Sequence, residues 1–99
     1  MVMSNPRLVQ GRPGMPPEFG VRALAGGRSF HIYVRLDALG PHDRLAVEDG
    51  LVEEAKSLIR KAEASTKFDW ERYGFRQNAA VGTLERTLSA LEVDHLMRG

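Results

Sequence analysis

An α+β fold is predicted by three features of the sequence: two short runs that register as a β-hairpin around Gly26-Gly27, an amphipathic run at residues 41–64, and a leucine-spaced run at residues 78–97. The expected architecture is an N-terminal β-hairpin packed on two antiparallel helices and completed by homodimerisation. Residues 1–17 are expected to form a flexible Pro/Gly-rich arm, and residues 18–99 a single small domain. At 99 residues the chain has the length of one ordinary domain.

The arm contains Pro6, Pro13, Pro16 and Pro17 with Gly11 and Gly14. Proline at that density fixes φ and removes backbone donors, which argues against helix or sheet interior. The hairpin occupies residues 18–36. With Gly26-Gly27 as a two-residue loop, Ala23 faces Phe30, Val21 faces Ile32 and Phe19 faces Val34, so these apolar side chains share one face. Leu24 with Ser29, Arg22 with His31, and Gly20 with Tyr33 fall on the other, and Arg35 follows. The glycines supply the positive φ that tight hairpin turns need, and a one-residue slip would scramble both faces.

A first helix is expected over residues 41–64, with Pro41 at its first position. Leu45, Leu51, Val52, Ala55, Leu58, Ile59 and Ala62 recur at three- and four-residue steps on one face. Gly50 weakens that helix and marks a place for close approach. An aromatic connector, residues 65–77, holds Phe68, Trp70, Tyr73 and Phe75. The last helix is expected over residues 78–97, capped by Asn78, with Val81, Leu84, Leu88 and Leu91 as its seam. Two strands alone leave open edges, and the helices carry more apolar face than two strands cover; from this the homodimer is expected.

Net charge is +1, which suits a folded, soluble protein. Charge is uneven along the chain: residues 1–36 hold five arginines against Glu18, and residues 37–64 hold seven acids against four bases. No run approaches the ~18 apolar residues of a membrane span. The first residues lack the basic segment and apolar run of a secretory signal, so a cytoplasmic location is expected. The absence of cysteine excludes disulfides, thiol catalysis and thiolate metal sites.

Chemistry-bearing motifs are sparse. No phosphate-binding glycine loop, zinc-ligand spacing or nucleophile elbow occurs. Glu92 and His95 have the i, i+3 spacing used in di-iron bundles, but a histidine near a helix C-terminus is also what the helix dipole favours. Neither an enzyme, a cofactor nor a metal is expected. The leading expectation is a non-catalytic accessory or regulatory module that binds itself and another protein, with Phe68, Trp70, Arg72 and Tyr73 as the contact. The bland reading of the same aromatics is a core plug. The alternative is a nucleic-acid-binding regulator using Arg12, Arg22, Arg28, His31, Tyr33 and Arg35 on the polar hairpin face and the arm. Within the arm, Gly11-Arg12-Pro13 resembles the core of an AT-hook, which implies minor-groove contact; Gln10 stands where that motif has its first arginine. A strand followed by two helices also resembles the ribbon–helix–helix repressors, but the in-chain hairpin partner, the long first helix and the long interval at 65–77 depart from that pattern.

Overall fold

The computed structural model describes residues 6–98. It is an α+β fold built on a five-stranded mixed sheet. Strands β1 (Arg7–Gln10), β2 (Glu18–Ala25) and β3 (Arg28–Arg35) run antiparallel in succession. Helix α1 (Arg44–Ala64) follows, then β4 (Arg76–Asn78), β5 (Thr83–Leu88) and the short helix α2 (Ala90–Met97). The strand order is β1-β2-β3-β5-β4, with β3 and β5 parallel. A parallel neighbour requires a crossover, and α1 lies within it.

The hairpin forms in the register expected from sequence, from Glu18↔Arg35 to Ala25↔Arg28. Gly26 and Gly27 take φ of +57° and +77° at its turn. Its apolar face, Phe19, Val21, Ala23, Phe30, Ile32 and Val34, is buried against Val47, Leu51, Ala55, Leu58, Ile59 and Ala62 of α1. Both helices pack against this core, which also takes in Val93 of α2.

The expected hairpin on two helices is therefore corrected to a sheet with the hairpin at its centre. Both hairpin edges are filled, by β1 and by β5, so the open edges that argued for a homodimer are not there. The expected arm contributes β1: four residues between Pro6 and Gly11 are free of proline and pair with β2. Residues 1–5 of that arm lie outside the described residues. Helix α1 begins at Arg44 rather than 41, because Asp43 caps it, its side chain accepting from the Ala46 N–H at 2.7 Å. Leu45 is exposed, and the buried stripe starts at Val47.

The larger correction concerns residues 78–97. Asn78 ends β4 and its carbonyl accepts the N–H groups of Val81 and Gly82, closing the turn into β5. Leu84 and Leu88 are buried from a strand, while Val81 and Leu91 are exposed. A spacing of four is even as well as one helical turn, so it places two leucines on the same face of either element. The helix start that exists is Ser89, in a capping box with Glu92. At Gly50 an added Cβ would lie 2.4 Å from Met97 Cε, so the close approach is that of α2 side chains.

Candidate binding surface

Alternation along each strand sends one set of side chains to the helices and the other to an open face. On that open face the register aligns Arg7 with Arg22, Gly20 with Tyr33, Arg22 with His31, Glu18 with Arg35, His31 with Glu85, and Glu85 with Arg76. The loop from β1 to β2 then adds Arg12, which folds back over the sheet.

Arg12 organises the centre. Its Nε donates to Glu18 Oε1 at 2.9 Å, its Nη1 to Glu85 Oε2 at 3.3 Å, and its Nη2 to Glu18 Oε2 and Thr87 Oγ1, both at 3.3 Å. The Arg12 backbone N–H donates to Glu18 Oε1 as well, at 3.0 Å. The guanidinium carbon sits 4.5 Å from the Tyr33 ring centroid, a cation–π contact. Gly11 makes the crossing feasible, since a Cβ there would fall 2.0 Å from Glu18 Cγ. Glu18 is only 8% exposed. Desolvation alone would raise its pKa, but the hydrogen bonds and charge of Arg12 outweigh burial and hold it below the usual carboxylate range.

Tyr33, 3% exposed, lies under Arg12 and across from Gly20. A Cβ on Gly20 would fall 2.2 Å from the Ile32 carbonyl oxygen and 3.0 Å from Tyr33 Cδ1, so glycine accommodates the ring. The Tyr33 hydroxyl and His31 Nδ1 are 2.5 Å apart. His31 Nε2 is buried without a partner among the described residues. Desolvation lowers the His31 pKa, with Arg22 and Arg12 adding to the shift and Glu85 opposing it, so the ring is held neutral. Desolvation, then Glu85, raises the Tyr33 pKa.

Of the residues expected to contact nucleic acid, the fold brings Arg12, Arg22, His31, Tyr33 and Arg35 to one face. Arg28 is a correction: it pairs with Ala25 on the opposite face and lines a cleft of about 540 Å³ with Glu63, Phe68 and Trp70. Tyr33 is buried, which removes it as a stacking platform. Arg35 is paired with Asp37 at 2.6 Å. Arg7 and Arg76, not singled out from sequence, join the face through β1 and β4; only a reading of those strands could have found them.

The expected partner contact divides. Trp70, 9% exposed, packs on Phe30, Phe68 and Phe75 with centroids 4.8–5.2 Å apart, and belongs to the core. Phe68 and Tyr73 stack at 4.9 Å and are half-buried, with Lys61 over the Tyr73 ring; Arg72 is exposed.

Five arginines (Arg7, Arg12, Arg22, Arg35, Arg76) thus meet two carboxylates (Glu18, Glu85) on the open face, whereas the charges of α1 nearly balance. Among the described residues Arg7, Arg22 and Arg76 have no ion pair, no group of three or more His, Asp or Glu is placed to hold a metal, and no helix is long and apolar enough to cross a membrane. No family model matches the chain, and no curated protein and no solved structure matches it.

Proposed function

We propose that this chain is a small non-catalytic binding module, an accessory or regulatory protein that presents the open face of its sheet to a partner protein bearing carboxylates. One observation carries the reading: the helices cover one face of the sheet, and the other holds an excess of three positive charges on a rigid frame. Complementary charge of this kind steers encounter and sets partner choice. The central Arg12–Glu18–Glu85 network is satisfied internally, so the outer arginines are the groups free to engage.

The test is affinity capture from cells with wild type, an open-face variant (Arg7→Glu with Arg22→Glu) and a helix-face variant (Arg60→Glu). A protein retained by wild type and by the helix-face variant, but lost with the open-face variant and with added salt, supports the surface. Equal capture by all three removes it.

A second reading, nucleic-acid binding, is favoured by the lack of ion pairs at Arg7 and Arg22. The association constant for labelled duplex DNA, read by anisotropy, would then fall by roughly 0.9 log units per log unit of salt for each phosphate neutralised. A flat salt response excludes it.

A further inference from the structure

The sheet has two outer edges, and they differ. On β4 the position turned toward the helices is held by Gln77, the partner of buried Leu84. On β1 it is held by Leu8, the partner of Val21. Val21 is fully buried, yet Leu8 is 46% exposed, so the cover of α1 thins out at the edge strand. The Gly11 N–H donates to the Glu18 carbonyl at 3.1 Å, which turns the backbone groups of Gly11, Val9 and Arg7 toward β2. By alternation the N–H and C=O of Leu8 and Gln10 point outward, with no strand beside them among the described residues. Pro6 has no N–H and ends this run of donors.

The two sides of this edge have different chemistry. On the helix side, Gly50 of α1 lies against Leu96 and Met97 of α2, and α2 contacts β5, so the opposite flank of α1 is turned toward β1. At about 3.6 residues per turn, Leu45 and Val52 fall on that flank. Arg44 lies over the Phe19 ring, 4.9 Å from its centroid, and Phe19 pairs with Gln10, so α1 starts level with this end of β1. Leu45 is 73% exposed and Val52 half-buried, which leaves Leu8, Leu45 and Val52 as an apolar shelf beside the free edge. On the open side, Arg7 stands in the outermost row with Arg22 behind it, both exposed and neither in an ion pair among the described residues.

We propose that the outer edge of β1 takes up an extended segment of the partner protein, antiparallel to β1, with apolar side chains toward α1 and carboxylates toward Arg7. This rests on the open face being the partner surface and adds a backbone edge to it. The outward groups of Leu8 and Gln10 supply ladder hydrogen bonds, and alternate side chains supply selectivity. Residues directly opposite one another share a face, so the segment needs an apolar residue opposite Leu8 and, next to it in sequence, an acid opposite Arg7. A second copy of this chain fits less well, because it would bring a second set of arginines to the same face.

The experiment is titration of the intact protein at low salt with a short capped peptide that alternates valine with glutamate, followed by amide chemical shifts and hydrogen exchange. Saturable binding is expected, with shifts and new exchange protection at the Leu8 and Gln10 amides, and it should weaken as salt is added. A block isomer with all valines before all glutamates, and a peptide alternating valine with lysine, should each bind at least several-fold more weakly. Gln10→Pro removes one outward donor while leaving Arg7, Leu8 and the pairing with β2 in place, and should weaken binding about fivefold. Leu8→Ser, a change at an exposed side chain, should also weaken it and serves where the proline disturbs β1. Arg7→Glu should weaken it by about tenfold. Full affinity in Gln10→Pro and Leu8→Ser, with loss only in Arg7→Glu, would overturn the edge and leave the open face standing as the partner surface. Equal binding of the lysine peptide would overturn both. Absence of saturation, or concentration-dependent shifts at residues 7–10 in the protein alone, which would give the edge to a second copy, would each overturn the proposal.

Discussion

The two faces of one sheet are held by opposite means. Toward the helices, β2 and β3 present Phe19, Val21, Ala23, Phe30, Ile32 and Val34, all apolar and buried. Toward the open side the same strands present Glu18, Arg22, His31 and Tyr33, ordered by a single arginine from the preceding loop. Burial of apolar area is non-directional and tolerates modest shifts. A charged network depends on each donor reaching its acceptor, and it fails when one partner is lost. The helix-covered face should therefore set the stability of the fold, and the open face its shape and contacts.

The largest effect should come from the covered face. Phe30 is fully buried and contacts Trp70 and Phe75 at centroid distances of 5.2 and 5.7 Å. Phe30→Ala should cost about 3–5 kcal/mol by denaturant unfolding. A loss near that of a surface substitution would mean that the aromatic cluster does not anchor the sheet.

Next is the seam where the faces meet. Gly20→Ala pushes a Cβ against the Ile32 carbonyl, a backbone atom that cannot swing aside. The expected loss is roughly 1–3 kcal/mol, read as a shift of the unfolding midpoint. The hairpin turn gives the control: Gly27 has open space around a would-be Cβ, so Gly27→Ala meets only the strain of its positive φ.

The covered face was legible in the sequence, and much of the open face was not. Hairpin register follows from period-two alternation around a Gly-Gly turn, which leaves one consistent solution. The buried stripe of α1, Val47 to Ala62, follows from three- and four-residue spacing over about four turns. Residues 83–88 defeated the same logic, because Leu84 and Leu88 fit a helix and a strand equally, and Arg86 sits at the inward position between them. Ser89 and Glu92 carried the signal that a helix begins only at 90. The open face depends on residues distant in sequence: Arg12 meets Glu85 and Thr87 across the sheet, and no local pattern announces such a contact. Trp70 shows the converse, since a residue type favoured at contacts is also one that fills cores.

Removing Arg12 tests whether the open face is organised as described. Arg12→Met keeps the stem over Tyr33 but takes the side-chain donors from Glu18, whose carboxylate would stay buried with the backbone N–H of residue 12 as its remaining partner. A loss of about 2 kcal/mol is expected. The effect should depend on pH. A carboxyl with a lowered folded-state pKa contributes stability that is complete above its unfolded value of 4.5 and is lost as pH falls through the folded value. Wild type and Arg12→Met should therefore converge in stability as pH falls from 4.5 through the folded-state value. A constant difference across that range would mean that Arg12 acts by packing on Tyr33 alone.

The smallest effect should come from His31, and it separates the two faces most cleanly. Its Nδ1 is engaged with the Tyr33 hydroxyl, and its Nε2 is buried without a partner, so one ring nitrogen is unsatisfied in either tautomer. Protonation would add a charge in a desolvated place beside Arg22 and Arg12, with Glu85 alone in opposition. A histidine whose folded pKa is lowered gives full stability above its unfolded value of 6.5, and this is lost as pH falls through the folded value. The wild type should thus weaken with acid before Glu18 titrates. His31→Phe retains a ring against Tyr33 and cannot titrate, so its stability should be flat from pH 7 to the onset of the Glu18 transition. Because apolar burial on the covered face carries no titrating group, a slope that survives in His31→Phe would assign the acid response to another group and break the division of labour between the faces.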